Sequence, residues 1–222
     1  MDLFPPGGSL GLIAGRLSYS YLMANRDVTR TLRLLQVAQR IRVPAGFVLT
    51  PLLLVAARPG RVWVAAGCVI AVAGLGIRAW ASGCLKKNEE LATGGPYAYT
   101  RNPLYLGTFL LGLGVSVCTG SWWFAVVFTA FYLLVYIPVM LAESETLRKL
   151  FPDQYPAYSR SVPLLVPRLT PFDIRPQAEL TDTARRAPLF EMSLYIRHRE
   201  YRALLGFVAV LGILILKAYL RL

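Results

Sequence analysis

Acidic side chains are scarce in this chain and histidine is almost absent. Twelve Asp and Glu stand against 24 Lys and Arg in 222 residues, and His198 is the only histidine. With no cluster of His, Cys and Asp at ligand spacing, no metal site is expected. No Ser-His-Asp triad can be assembled, and His198, inside a charged run, reads as a surface residue. The three cysteines, Cys68, Cys84 and Cys118, lie in or beside apolar runs, so they read as small core residues and not as a disulfide framework. Charge is also missing over long stretches, and that absence decides the fold class.

A helix needs about 20 mostly apolar residues to cross the hydrocarbon core of a bilayer. Residues 62–83 supply them with Arg78 as the sole charge, residues 122–142 with none, and residues 203–220 with only Lys217 near the end. Residues 103–118 are shorter but equally apolar, and residues 43–57 are shorter still, with Pro44 and Pro51 among them. The sequence predicts an all-α, polytopic membrane helical bundle of about five spans. The link Thr119-Gly120-Ser121 is short enough to force an antiparallel hairpin between the third and fourth spans.

The basic excess follows from topology. With the N-terminus in the cytoplasm, residues 1–42, 84–102 and 143–202 lie inside and hold 19 of the 24 Lys and Arg. This is the positive-inside asymmetry, and such residues gain about 1 kcal/mol each near anionic lipid. Membrane lipids are therefore the expected partner of the charge, and nucleic acid is not required. No cleaved secretory signal is expected: Asp2 stands where a basic region would, and Arg16 interrupts residues 10–24, which read as an interfacial helix. Residues 1–42 form a basic lead-in, residues 43–176 a membrane core with a motif loop and cap, and residues 177–222 a connector and final span. Within the connector Leu189, Phe190, Met192, Leu194 and Ile196 form an apolar cluster suited to the membrane surface. Gly112 and Ser116 have the spacing of a small-residue helix contact, within the monomer or between copies.

Chemistry concentrates in the loop before the third span, Gly94-Gly95-Pro96-Tyr97, and in Arg101-Asn102-Pro103-Leu104-Tyr105. Asn is a favoured N-cap and Pro a favoured first helical residue, so the span is predicted to start there. First-turn amides suit an anion, and Arg101 adds a charged planar fork for a carboxylate. Tyr97 and Tyr105 offer aromatic faces that can sit against a cation. Glu143 and Glu145 follow an uncharged span directly; Glu145 reads as a partner of Lys149 on a continuing helix. Beyond them Phe151, Tyr155, Tyr158, Val162-Pro163 and Pro167 read as a helix stop and an irregular cap.

Together these motifs resemble the isoprenylcysteine carboxyl methyltransferases and their relatives, the phospholipid N-methyltransferases. The likeness runs from about Lys86 to Pro167 and rests on Gly95-Pro96-Tyr97, Arg101 to Tyr105, Glu143 and the cap residues, in that order. It implies an integral membrane methyltransferase using S-adenosyl-L-methionine on a lipophilic acceptor. It implies cofactor contacts from Glu89, Glu90, Leu91, Ala92, Tyr97, Asn102, Pro103, Leu104, Tyr105 and Glu143, with Arg101, Tyr105 and Glu143 as catalytic candidates. Two departures stand out. Eukaryotic members usually have histidine where this chain has Asn102 and Glu89, and an arginine where it has Val139. The missing arginine weakens the implication of a prenylcysteine carboxylate as acceptor and leaves the cofactor half of the likeness intact. A related helical core occurs in NADPH-dependent sterol reductases, which makes a reductase the rival activity, and a non-catalytic membrane scaffold a third reading.

Overall fold

The computed structural model describes residue 51 and residues 54–85, 90–172 and 190–220. The N-terminal lead-in, most of the first predicted span, Glu89 and most of the connector lie outside the described residues. Within them the chain is all helical: α1 (Arg61–Gly83), a 3-10 turn (Gly95–Ala98), α2 (Pro103–Cys118), α3 (Trp122–Leu150), α4 (Tyr155–Ser161), α5 (Met192–Arg197) and α6 (Tyr201–Leu220). In hydrocarbon every backbone group must pair within its own segment, which is why these apolar runs form helices.

Among the described residues α1, α3 and α6 are long and apolar enough to cross a membrane, and α2 is the shorter apolar helix. This is an integral membrane helical bundle. The 29 residues of α3 extend about 44 Å, well beyond the ~30 Å of a hydrocarbon core. Its last turns therefore leave the apolar layer, as the sequence foretold, and carry Glu143 with them. Glu145 pairs with Arg148 at 3.7 Å, not with Lys149; the i,i+3 neighbour lies on the same helix face and reaches it first.

The tightest packing is between α1 and α2. Gly67, Ala71 and Gly74 on α1 meet Gly107 and Gly114 on α2 with their backbones nearly touching. A Cβ built on Gly74 would lie 2.6 Å from the Gly107 carbonyl oxygen, and one on Gly114 would lie 2.5 Å from that of Gly67. Seven-residue spacing keeps each pair on one face of its helix. Gly112, by contrast, receives the ring of Phe128 from α3, so its small size serves packing within the monomer. An aromatic ladder continues that seam: Tyr132 stacks on Tyr136 with centroids 4.2 Å apart, Tyr136 meets Tyr105 edge-on at 5.7 Å, and the Tyr132 hydroxyl donates to the Tyr105 carbonyl at 2.7 Å.

At the end opposite the motif loop, Gly120 turns the hairpin with φ 79°, and the Arg58 amide donates to the Thr119 carbonyl at 2.8 Å. Lys217 of α6 donates to the carbonyls of Leu54 and Val55 at 3.0 and 2.6 Å. A cation on the last free carbonyls of a helix satisfies groups that have no helical partner.

Candidate active site

The other end of the bundle is closed by a strap. After α3, the chain turns through α4 and runs beside the motif loop to Phe172. Three backbone bonds of 2.9 Å hold the two together: Arg101 to Pro163, Arg168 to Tyr99 and Phe172 to Ala98, each amide donating to the second residue's carbonyl. Tyr155, Tyr158 and Val162 form a buried cluster beneath it, with Leu91, Leu147, Phe151 and Phe172 packed around them. The predicted irregular cap is therefore a built wall. The Tyr158 hydroxyl donates to the Tyr97 carbonyl at 2.8 Å in a buried position. Tyr158→Phe leaves that carbonyl unpaired and is expected to lower stability by about 1–2 kcal/mol, measured as a drop in unfolding midpoint in detergent.

Gly95 makes the start of this loop possible, with φ 58° and the Cys84 sulfur only 3.1 Å from where a Cβ would stand. The 3-10 turn then buries Tyr97. Burial pushes the Tyr97 phenol well above its ordinary range, with Tyr158 and Glu143 adding to the effect. Burial also raises the Tyr158 phenol, and Arg101 offsets part of that rise. Both hydroxyls therefore stay neutral near physiological pH.

Asn102 takes the N-cap position of α2, with Pro103 at the first helical residue, as the sequence predicted. Its side chain does not cap, however. Its Nδ2 donates to the Leu164 carbonyl of the strap at 2.9 Å instead. No side chain caps the start of α2. The Arg101 guanidinium contacts the Tyr155 hydroxyl at 3.3 Å, and its Nε is buried with no hydrogen-bond partner. A buried unpaired donor of this kind costs free energy unless something supplies an acceptor.

These elements surround a cavity of about 360 Å³, within the size range of small-ligand sites. It is lined by Glu90, Leu91 and Ala92 from the motif loop, Tyr97 from the 3-10 turn, Arg101, Asn102, Pro103, Leu104 and Tyr105 from the start of α2, and Glu143 from α3. Every candidate residue within the described region thus faces one space, and Glu89 lies outside that region. Val139 does not join them: it is buried within α3.

The cavity also has members the motifs did not announce. Arg78 of α1 reaches in and binds Glu200, with Nε and Nη2 at 3.0 and 2.6 Å from the same oxygen, Oε2. Its Nη1 donates to the Thr108 hydroxyl of α2. His198 lines the cavity as well, and its Nδ1 lies 3.2 Å from the Ser82 carbonyl oxygen. This corrects the surface reading of His198. It also corrects part of the connector: the Glu191 amide donates to the Gly83 carbonyl at 3.0 Å, Phe190 packs on Gly83 and Leu194 is buried. Met192 and Ile196 keep the exposed apolar face the sequence predicted. The signal for Arg78 was present, since an ionisable residue in a span marks function by default. Glu200, 122 residues away, gave no sign of being its partner.

The phospholipid methyltransferase family model matches residues 60–154, from the start of α1 past the end of α3. Residues 60–154 are thus similar to the phospholipid methyltransferases. Other likenesses cover similar ground. The chain is 32% identical to the cobalt-zinc-cadmium resistance protein CzcN of Cupriavidus metallidurans, over 50% of this chain and 44% of that protein. It is 31% identical to the nickel-cobalt-cadmium resistance protein NccN of Alcaligenes xylosoxydans xylosoxydans, over 51% of this chain and 46% of that protein. It is also 31% identical to the protein-S-isoprenylcysteine O-methyltransferase of Schizosaccharomyces pombe, over 37% of this chain and 36% of that enzyme. The chain thus spans less than half the length of these curated relatives. No solved structure matches. Among the described residues, no group of three or more His, Cys, Asp and Glu could hold a metal ion. The matched segment supplies most of the cavity lining, while the strap, His198 and Glu200 lie outside it.

Proposed function

We propose that this protein is an S-adenosyl-L-methionine-dependent methyltransferase acting on a lipophilic acceptor drawn from the membrane, with the cavity end of the bundle in the cytoplasm. The observation that carries this reading is the buried, unpaired Nε of Arg101 in the wall of a cavity lined by the family motif. That donor fits a ligand carboxylate, and it sits beside a helix start that no side chain caps, which favours the same charge.

When bound, the cofactor supplies a methyl group already activated on a positively charged sulfur. Arg101 and the first turn of α2 would hold its carboxylate. Glu143 and Glu90 would take its ammonium group, and the faces of Tyr97 and Tyr105 suit the sulfonium. Leu91, Leu147, Phe151 and Tyr158 exclude water from one side. Methyl transfer is then mainly a matter of alignment, and holding two reactants in line accounts for much of the rate. The Arg78–Glu200 pair, with its side chains 20% and 11% exposed, ties α1 to the start of α6 beside the cavity. A dinucleotide such as NADPH is much larger than a single nucleoside with an amino-acid tail, and a 360 Å³ cavity favours the smaller cofactor.

Titration of the purified protein in detergent with S-adenosylhomocysteine tests this. We expect one saturable site per chain, and ligand at about 100 times its dissociation constant should add roughly 2.7 kcal/mol of stability. A protein that shows neither heat of binding nor a raised unfolding midpoint is not this enzyme. The acceptor would come from membranes, with and without the protein, supplied with isotopically labelled methyl donor.

A further inference from the structure

His198 and Glu200 line the cavity beside Ser82 and Arg78 of α1, on a segment outside the family match. The Ser82 carbonyl can only accept a hydrogen bond. The 3.2 Å contact with His198 Nδ1 therefore requires the proton on Nδ1 and leaves the lone pair of a neutral ring on Nε2. Arg78 is engaged by Glu200 and Thr108, and both of its contacts to Glu200 fall on Oε2. Among the described residues, this part of the cavity thus offers a carboxylate and an imidazole lone pair, and Arg78 is already paired with Glu200. A carboxylate acceptor placed here would meet the like charge of Glu200 while Arg78 is engaged. A headgroup that carries a proton would find two acceptors for it.

Building on the methyltransferase reading above, we propose that His198 is a catalytic base, and that with Glu200 it forms an acceptor subsite for lipophilic amines or thiols. The acceptor's nitrogen or sulfur gives its proton to Nε2. The freed lone pair forms the bond to the methyl carbon while the methyl–sulfonium bond breaks, its electron pair remaining on that sulfur. The imidazolium then returns the proton to water. The ring's fixed tautomer, set by Ser82 at the end of α1, keeps Nε2 ready for this.

Because His198 is the only histidine, histidine labelled with nitrogen-15 reports on this ring alone. In detergent micelles the free protein should show a protonated Nδ1 and an unprotonated Nε2. Dodecylamine should shift the Nε2 resonance saturably, whereas dodecanoate should leave it in place. His198→Asn keeps a donor for the Ser82 carbonyl and removes the base. Its affinity for S-adenosylhomocysteine should stay within about threefold, while methyl incorporation into dodecylamine or dodecanethiol falls about 100-fold or more. His198→Gln serves as a second variant should the first lose cofactor binding. A reversed tautomer, a shift caused equally by dodecanoate, or a His198→Asn rate within about threefold of the parent overturns the proposal. An amine that shifts Nε2 in a protein unable to bind S-adenosylhomocysteine would instead sink the methyl-donor reading and leave the amine subsite standing.

Discussion

Arg101→Ala is expected to weaken S-adenosylhomocysteine binding by about 30- to 1,000-fold, the effect of removing one partner from a buried, charge-assisted contact. The variant should still fold. The bond that ties this residue to the strap comes from its backbone amide to Pro163, which alanine keeps. The side chain contacts the Tyr155 hydroxyl at 3.3 Å, and exchanging a buried, partly unpaired donor for a methyl group removes a cost as well as a contact. Arg101→Lys should fall between parent and alanine, since lysine keeps the charge but lacks the planar fork. Calorimetric titration measures all three. An alanine variant that binds as tightly as the parent would detach Arg101 from the ligand and leave the cavity without an anion site.

Gly74→Ala should destabilise the bundle by about 1–3 kcal/mol, and Gly74→Val by more. Its added carbon would sit 2.6 Å from backbone atoms of Gly107 and Leu111, and backbone cannot rotate aside as a side chain can. Gly76 is the control, two residues away on the same helix. A Cβ there meets nothing within 4 Å, so Gly76→Ala should be neutral or slightly stabilising through helix propensity. Unfolding midpoints in detergent distinguish the two positions. Equal effects would mean that the close approach of α1 and α2 contributes little.

The sequence disclosed what depends on local order. Charge-free length gave the spans α1, α3 and α6; Asn102-Pro103 gave the start of α2; and the short link through Gly120 gave the hairpin. The motif residues from Glu90 to Tyr105 could be grouped with Glu143 because their order along the chain matched a family. What stayed hidden depends on contacts between distant residues. Nothing in the run around His198 tells that Ser82, 116 residues earlier, will hold its ring. Asn102 reads as a cap in the sequence, because its observed partner, the Leu164 carbonyl, comes from a strap whose path no periodicity foretells. The small residues of the α1–α2 contact stand at seven-residue intervals, and only the packed structure distinguishes them from Gly112, which receives Phe128 instead.

The glycine contact between α1 and α2 also bears on how a fatty molecule could reach the chamber. Two backbones already touching across Gly67, Gly74, Gly107 and Gly114 leave no gap for an acyl or prenyl tail, and parting them would give up the tightest packing in the bundle. That seam is a closed wall to the bilayer. For the lipophilic acceptor proposed above, a lateral doorway among the described helices would lie along the flanks of α3 or α6, away from the α1–α2 seam.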